Sequence, residues 1–461
     1  MMTSTTSNSS QRIFSSAENA LVKTSILHQG FMRVGEVLRL QGPCINLEEL
    51  QTAVGCLQRR HPFLRSRLRT NPSARNTYLL EEDPTLQLKI REIPRKRDQH
   101  VQFWKHEWRE REKDSAVIGE GLMEFWLLQD PDDREDDQAP REIMIICEHS
   151  ICDGISLSTV AHELLLALTE EDKSLFDQSL GWPIAMETAI EQNLSRWKRI
   201  KAFSKFTSSA LYWYVTAGRR ITHIPYGKID FPLNDMAMHT HTEMFSDSLS
   251  REETTKLFDK CHQHKVTVNS AISSAILRAA SAFVDNKNAN LVFAIPTDVR
   301  RRYQSPMANH DLSYQISGVT AFAVPANVAA RTSSQDMWNL AKIFGEHVIN
   351  SINAGHTFAI GMIIGKFYDK NTGPIDTSGT PTCGLSNWGL LSFKSEYGQW
   401  KLNGMTAFGN LIRLSTPMAF AYTVNGVLSI GQGGPVPLFS SDILENLQAN
   451  TMEHLRQMIV D

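Results

Sequence analysis

The chain has 461 residues, which is more than a single domain usually holds, so we expect two or three folded units. Hydrophobic residues make up 41% and charged residues 21%, which is typical of a soluble globular protein. The 47 basic and 50 acidic residues give a net charge of −3. Since there is no basic excess to grip a phosphate backbone, we predict no nucleic-acid partner.

No run approaches about 18 uninterrupted apolar residues, so we expect no transmembrane segment. The N-terminal sequence MMTSTTSNSSQR lacks the apolar core of a secretory signal, and we predict a disordered tail at residues 1–12. The six cysteines are spread along the chain without a C-x-x-C pair, so they supply no clustered zinc ligands. We therefore predict no metal site, free thiols in a reducing compartment, and a cytoplasmic protein.

The first half of the sequence alternates between helix and strand patterns. Apolar residues at helical spacing follow Asn46, a candidate N-cap, and Pro62 ends that helix. EIMIICEH carries apolar residues on both faces, which predicts a central, covered strand in a hairpin with LMEFWLL. The predicted elements are a helix at 46–58, a charged helix at 99–114, strands at 122–128 and 142–149 around a solvated acidic turn, and a helix at 156–168.

The second half follows a long, basic, amphipathic stretch with few turn signals, so we interpret residues 181–235 as a connecting segment. Ser250 and Glu253 form a predicted capping box. The pattern alone predicts only an α/β protein with two domains. The predicted elements are a strand at 239–249, a helix at 266–283, a strand entering a basic turn at 290–302, a helix at 336–350, strands within 385–393 and 419–432, and a final helix from about 440.

The stretch IICEHSICDGIS places His149, Asp153 and Gly154 at H-x-x-x-D-G spacing, between a predicted strand and a predicted helix. A lone histidine at a strand end is usually a core residue, but the glycine permits close backbone approach and a buried aspartate needs a cation. PTDVRRR, just after an apolar strand, offers the partner: one of Arg300, Arg301 and Arg302 is predicted to turn inward, with Arg300 as the candidate. An Asp153–Arg300 pair would leave His149 neutral and suited to act as a general base.

Other reactive residue types have simpler interpretations. His239 and His241 share a predicted strand face, but no third metal ligand is evident, so we interpret them as surface or packing residues. Cys152 lies beside the motif without an activating neighbour, which favours packing over nucleophilic catalysis. We expect His61 to fix the turn before Pro62.

Five segments in order resemble the CoA-dependent acyltransferase superfamily, which includes chloramphenicol acetyltransferase, plant BAHD acyltransferases and peptide-synthetase condensation domains. The resemblance is nearest to the alcohol acetyltransferase and mycocerosyl transferase branch, and it covers nearly the whole chain. The matching segments are RRHPFLRSRL, EHSICDG, VTVNSAISSAILRA, PTDVR and SNWG. Two departures make peptide condensation and BAHD identity less favoured: Glu148 replaces the first of two histidines, and SNWG replaces an aromatic-rich D-F-G-W-G turn.

The resemblance implies an α/β fold of two chloramphenicol-acetyltransferase-like subdomains, with mixed sheets covered by helices and an active-site tunnel between them. Its predicted bounds are 13–180 for the first subdomain and 236–461 for the second. The resemblance makes His149 the catalytic base and gives Asp153, Gly154 and Arg300 structural roles at the active site. The cleft or oxyanion residues would be Asn387, Trp388 and Gly389.

The implied activity is transfer of an acyl group from acyl-CoA, or from an acyl carrier protein, to a hydroxyl or amine of a small molecule of secondary metabolism. The donor is a cosubstrate, so no bound cofactor is expected, and we expect a monomer. Two alternatives stay open. The fold can host another reaction on a biosynthetic intermediate, such as a cyclisation or condensation, or it can be a catalytically inactive binding module.

Overall fold

The computed structural model describes residues 10–95, 103–130, 132–134, 136–169, 174–304, 307, 312–331, 333–370, 373, 375 and 380–460. The predicted tail therefore lies mostly outside the described residues. Its last two residues, Gln11 and Arg12, already belong to a strand that pairs with residues 79–81. Part of the charged helix predicted at 99–114 also lies outside the described residues, and the described part is helical from Phe103 to Arg111.

The strands within the described residues are β1 (Gln11–Ile13), β2 (Val34–Gln41), β3 (Ser66–Thr70), β4 (Tyr78–Glu82), β5 (Lys89–Pro94), β6 (Met123–Gln129), β7 (Pro140–Cys147), β8 (His241–Ser248), β9 (Asn290–Ala294), β10 (Pro296–Asp298), β11 (Ile316–Gly318), β12 (Phe322–Pro325), β13 (Cys383–Leu390), β14 (Glu396–Tyr397), β15 (Trp400–Gly409), β16 (Met418–Val424) and β17 (Val427–Val436).

The helices within the described residues are α1 (Ser16–Leu27), α2 (Leu47–Arg60), α3 (Phe103–Arg111), α4 (Gly154–Leu168), α5 (Ser174–Asp177), α6 (Met186–Asn193), α7 (Arg196–Trp213), α8 (Met236–His239), α9 (Arg251–His264), α10 (Val268–Ser281), α11 (Ala326–Ala329), α12 (Ser334–Ala354), α13 (His356–Gly361), α14 (Ile364–Lys370) and α15 (Ser441–Val460). None of them is long and apolar enough to cross a membrane.

Two six-stranded mixed sheets organise the chain. The first has the order β14-β15-β2-β7-β6-β5, in which only β5 and β6 run parallel. The second has the order β12-β9-β13-β16-β17-β8, in which β13 is parallel to both of its neighbours. Strand β7 pairs on both edges, with β2 and β6, as its two apolar faces predicted. Helices α2 and α4 pack together beside the first sheet, and α10, α12 and α15 pack together beside the second.

The predicted fold class is confirmed, with mixed sheets covered by helices in two subdomains. The first sheet also contains a strand from the second half of the chain. Strand β15 follows the second half in sequence but pairs along the whole of β2 in the first sheet. The predicted bounds of the subdomains stay a prediction, and this pairing ties the second half to the sheet that carries the H-x-x-x-D-G segment.

Candidate active site

The H-x-x-x-D-G segment links the end of central strand β7 to the start of α4. Asp153 is the N-cap of that helix, and its carboxylate accepts a hydrogen bond from the Ser156 backbone N–H (3.1 Å). In return, the Asp153 backbone N–H donates to Ser156 Oγ (3.0 Å). This reciprocal cap satisfies two of the backbone donors that a helix start leaves without partners. The cap of its own helix therefore helps to hold the Asp153 side chain in place.

The predicted pair of Asp153 and Arg300 is present and crosses between the two halves. Arg300 Nη2 lies 2.8 Å from Asp153 Oδ2, and both side chains are fully buried. The same carboxylate oxygen accepts from the Gln315 backbone N–H (2.9 Å). Arg300 also donates to Asp298 (2.8 Å) and to the Ser313 carbonyl (3.0 Å). Asp153 is thus occupied by a cation and by backbone donors, as its predicted structural role requires.

The charges of this network follow from burial and pairing. Burial alone would lower the pKa of Arg300, but Asp153 and Asp298 outweigh it and raise that pKa above its ordinary value. Burial raises the pKa of Asp298, and Arg300 partly opposes the rise. The guanidinium therefore stays charged and neutralises the carboxylates around it. Arg301 and Arg302, the next two residues, are exposed, so one arginine of the three turns inward as predicted.

His149 is half-buried and is held in one tautomer. Its Nδ1 lies 2.7 Å from the Cys152 carbonyl, which can only accept, so Nδ1 carries the hydrogen and Nε2 carries the lone pair. Burial lowers the pKa of His149, and the hydrogen bond to the Cys152 carbonyl partly opposes this. At neutral pH the ring is a neutral imidazole with a free electron pair at Nε2. This is the form that a general base needs.

A tyrosine pair that was not predicted reaches His149 through Tyr314. The Tyr314 ring lies edge-on to His149, with 5.1 Å between ring centroids, and its hydroxyl is hydrogen-bonded to that of Tyr368. Burial raises the pKa of Tyr314 well above its ordinary value, so the phenol stays protonated. Residues 312–315 lie outside every predicted element, so no periodicity or spacing pointed to Tyr314. The contact also places a second-half residue within reach of His149, as a site between two halves requires.

A cleft of about 1080 Å³ lies between the two halves. Helix α4 contributes Ile155 and Ser158 to its wall, and the second half contributes Asp298 and Trp388. Helix α4 of the first half and the PTDVR and SNWG segments of the second half therefore form the wall together. Among the described residues His149 is not part of this wall, which reaches α4 at Ile155, immediately after the D-G turn.

The SNWG segment lies in strand β13, within the stretch 385–393 where a strand was predicted. Residues 386–389 belong to β13 because they pair with β16, and the register shifts between Asn387 and Gly389. Gly389 has φ +77°, a conformation that glycine adopts without strain. The Asn387 amide donates to Asn269 Oδ1 (3.2 Å), and its oxygen accepts from the Gly389 N–H (2.9 Å). Asn387 and Gly389 line the cleft, and their oxyanion role stays a prediction.

Trp388 packs directly on the glycine of the D-G turn. A Cβ atom built on Gly154 would lie 2.1 Å from Cε2 of the Trp388 indole, closer than any real contact. Gly154 is not among the glycines with a positive φ. The close approach of the Trp388 indole, and not the backbone conformation, therefore requires a glycine at this position. Trp388 therefore belongs both to the cleft wall and to the packing around the D-G turn.

Gly154→Ala is therefore expected to destabilise the protein by about 1–3 kcal/mol, because the indole must shift to admit the methyl group. In a Trp388→Ala background the same change should be neutral or slightly stabilising, since alanine is the better helix former. Denaturant unfolding of the four proteins of this double-mutant cycle measures the coupling. Equal costs of Gly154→Ala in the two backgrounds would contradict the direct contact.

The remaining predicted residues have structural surroundings. His61 Nε2 lies 2.6 Å from Glu163 on α4, and Arg60 pairs with the same carboxylate at 3.1 Å, so the RHP element joins α2 to α4. Cys152 is fully buried, and burial raises its thiol pKa well above its ordinary value, which supports a packing role. Glu148 forms a buried ion pair with Arg33 at 3.2 Å. In sequence it precedes His149, whereas Asp153 follows His149.

His239 and His241 do not share a strand face, which corrects that prediction. His239 is the last residue of α8 and stacks on Phe231 (4.9 Å between centroids), while His241 begins β8. Thr240, which has an extended backbone conformation, separates the two elements. A packing and surface role for both residues agrees with these positions.

Comparison with known proteins supports the resemblance. The family model described as the phthiocerol/phthiodiolone dimycocerosyl transferase C-terminus matches residues 241–395. No curated protein sequence gives a significant match.

Several solved structures share the fold over almost the whole chain. The trichothecene 15-O-acetyltransferase from Fusarium sporotrichioides has a TM-score of 0.77 at 11% identity, covering 98% of this chain and 97% of its own. Polyketide synthase associated protein 5 from Mycobacterium tuberculosis has a TM-score of 0.67 at 15% identity, covering 95% and 97%. The epimerization domain of tyrocidine synthetase B has a TM-score of 0.66 at 12% identity, covering 97% and 96%. At these identities the likeness concerns the fold.

Proposed function

We propose, on the premise that the chain belongs to the superfamily of CoA-dependent acyltransferases and condensation domains, that it moves an acyl group from an acyl thioester to a small-molecule acceptor. The observation that carries the proposal is the state of His149. Its Nδ1–H is tied to the Cys152 carbonyl, and the neighbouring Asp153 is taken by Arg300, so Nε2 is the basic atom of the motif. The acyltransferase-type fold and the family match at 241–395 supply the reaction class.

In the proposed reaction, Nε2 of His149 removes the proton from an acceptor hydroxyl or amine as that group attacks the thioester carbonyl. The tetrahedral intermediate then collapses, the carbon–sulfur bond breaks, and the imidazolium returns its proton to the departing thiolate. Asp153 takes no proton, because Arg300, Ser156 and Gln315 already hold its oxygens. General-base assistance of this kind contributes roughly 10²–10⁴-fold to the rate.

Direct transfer is favoured over an acyl-enzyme on Cys152. A thiol acts as a nucleophile in its thiolate form. Burial, the first cause, and the neighbouring Cys147 raise the pKa of Cys152 well above its ordinary value, so the thiolate is not formed at neutral pH. The oxyanion of the intermediate needs hydrogen-bond donors, and we propose backbone N–H groups near Asn387 and Gly389 for this purpose.

The substrates are proposed by analogy with the fold relatives. We propose acyl-CoA, or an acylated carrier protein, as the donor, and an alcohol or amine of a natural product as the acceptor. An alcohol is preferred, because the fold relative with the highest TM-score given above is named as an O-acetyltransferase. The cleft volume of about 1080 Å³ is that of a site for a sizeable small molecule. We propose that the protein is a cytoplasmic monomer and that it binds no cofactor.

The proposal is tested by incubating the protein with a panel of acyl-CoAs of increasing chain length and a panel of alcohols and amines, with release of free thiol followed over time. Acceptor-dependent thiol release that disappears in His149→Ala supports acyl transfer. Thiol release that is unchanged in that variant contradicts the role of His149. If no donor in the panel releases thiol and the acceptors still bind, the protein is a binding module or catalyses another reaction.

The acid limb of the pH profile is expected to lie below the ordinary imidazole range. Neutral His149 is the active form, and burial lowers its pKa below about 6.5, so kcat/KM should be flat near neutral pH and fall only as pH drops through that lowered value. Initial rates over a pH series, with circular dichroism to show that the protein stays folded, provide the measurement. An acid limb centred above 6.5, or one that persists in His149→Ala, would contradict the assignment.

A further inference from the structure

The segment between the two halves is strongly basic, unlike the rest of the chain. From Leu194 to Ile229 it contains eight basic residues and no aspartate or glutamate, although the whole chain has a net charge of −3. The eight are Arg196, Lys198, Arg199, Lys201, Lys205, Arg219, Arg220 and Lys228. The segment spans α7 and the π-helical turn Tyr214–Gly218 that continues it. Such a concentration of one sign marks a surface that attracts anions.

One side of α7 packs on the second half. Within α7 the single buried side chain is Ala202, and it lies against Gly355 at the end of α12, where an added Cβ would come within 2.9 Å of the Ala202 Cβ. One turn later, Phe206 contacts the ring of His356 (5.7 Å between centroids). These contacts follow helical spacing and fix which side of the helix faces the protein. The opposite side faces outward.

The outward side is apolar and aromatic, which surface helices of globular proteins rarely are. Trp197, Ile200, Leu211 and Val215 recur at helical spacing and form what we term the α7 outer face. Trp197 is 79% exposed and Leu211 is 63% exposed. Tyr212 and Tyr214 flank this face and are also exposed. Helix α7 therefore has an apolar stripe on each of two sides. The inner stripe packs on the protein, and none of the described residues covers the outer stripe.

The cations are arranged around the apolar residues. By helical spacing Lys201 and Lys205 lie along one edge of the α7 outer face and Arg196 along the other. Arg199, nearer the protein, is paired with Glu191 (2.9 Å). Among the described residues no carboxylate lies within ion-pair distance of Lys201 or Lys205. Apolar and aromatic side chains framed by unneutralised lysines match the interfacial region of an anionic bilayer, with acyl chains below and phosphate groups around them.

We propose that the protein docks on an anionic lipid surface through the α7 outer face, with the helix lying in the plane of the interface. Charge complementarity selects this occupant. A second copy of the chain would bring Lys201 and Lys205 against their own counterparts, and like charges across an interface disfavour it. An anionic bilayer accepts the cations and the apolar stripe together. The inference does not depend on the proposed reaction.

Helix α7 packs against the end of a helix that lines the cleft. Ile349 and Ile352 of α12 line the cleft, and Gly355, one turn further along the chain, holds α7 through Ala202. A bilayer on the α7 outer face would therefore lie on the far side of α7 from α12.

Co-sedimentation of the full chain with vesicles tests the proposal. We expect binding to phosphatidylcholine vesicles that contain phosphatidylserine, little binding to pure phosphatidylcholine, and loss of binding as salt is raised. Lys201→Glu with Lys205→Glu should weaken binding by roughly thirty-fold or more, because each lysine near an anionic surface contributes about five-fold. Lys265→Glu with Lys401→Glu, at exposed lysines outside the face, makes the same charge change and should bind nearly normally.

A second pair of variants tests the apolar part without changing charge. Trp197→Ser with Leu211→Ser should weaken binding to the same vesicles, whereas Val460→Ser, at another exposed apolar residue, should not. Thermal unfolding establishes that each variant is folded. Equal binding to both kinds of vesicle, normal binding by Lys201→Glu/Lys205→Glu, or a dimer that dissociates in that variant would overturn the proposal. Acyl transfer to a water-soluble acceptor should be unchanged in all of these proteins, which separates docking from catalysis.

Discussion

His149→Ala is expected to lower kcat/KM for acyl transfer by roughly 10²–10⁴-fold while the protein remains folded. The loss follows from removing Nε2, the lone-pair nitrogen of a neutral imidazole that the Cys152 carbonyl holds in one tautomer. Stability should change little, because His149 is half-buried and its hydrogen bond to Cys152 ends at a backbone carbonyl. Steady-state thiol release gives the rate, and denaturant unfolding gives the free energy of unfolding.

His239→Ala is a matched control for this prediction. It makes the same side-chain change at an exposed histidine that stacks on Phe231, outside the cleft and the D-G turn. Its kcat/KM should stay within about two-fold of the parent protein, since exposed substitutions away from special contacts have small effects. If His149→Ala keeps near-normal activity, or if His239→Ala loses as much, His149 is not the base.

The parts of the site that the sequence predicted are those that one short segment specifies. The spacing of His149, Asp153 and Gly154 is local, so it determines a strand end, a helix cap and a turn together. The partner of Asp153 could also be predicted, because a buried carboxylate needs a cation and Arg300 follows a buried strand. The fold class followed from the order of the elements and from the resemblance of several motifs.

The parts that the sequence could not predict depend on contacts between distant segments. Tyr314 lies beside His149 in a segment that hydrogen bonds hold against the D-G turn: Arg300 donates to the Ser313 carbonyl, and the Gln315 N–H donates to Asp153. The SNWG segment was predicted within a strand, but the irregular register of that strand depends on its pairing with β16. The contact of Trp388 with Gly154 joins residues that are far apart in sequence, so neither residue alone indicated it.

Arg300→Met is expected to cost about 3–5 kcal/mol of unfolding free energy, the larger effect of the two ways to break the buried pair. It removes the cation from two carboxylates, Asp153 and Asp298, that both lie within 2.8 Å of the guanidinium. Asp153→Asn should cost less, because asparagine can still cap α4 and Arg300 keeps Asp298. Arg302→Met, at an exposed arginine two residues along the same turn, is the matched control and should be nearly neutral.

The pH dependence distinguishes this electrostatic origin from lost packing. Without the guanidinium, burial raises the pKa of Asp298 with no opposition from Arg300, so the folded protein binds more protons than the unfolded one. Its stability then falls as pH rises, and the deficit of Arg300→Met should be largest at neutral pH and shrink as pH is lowered towards the ordinary aspartate range. Denaturant unfolding at several pH values measures the deficit. A deficit that does not depend on pH would mean that the side chain acts by packing.

Restoring charge by Asp153→Arg with Arg300→Asp is not expected to recover stability, because residue 153 must also cap α4 and the new aspartate would face Asp298.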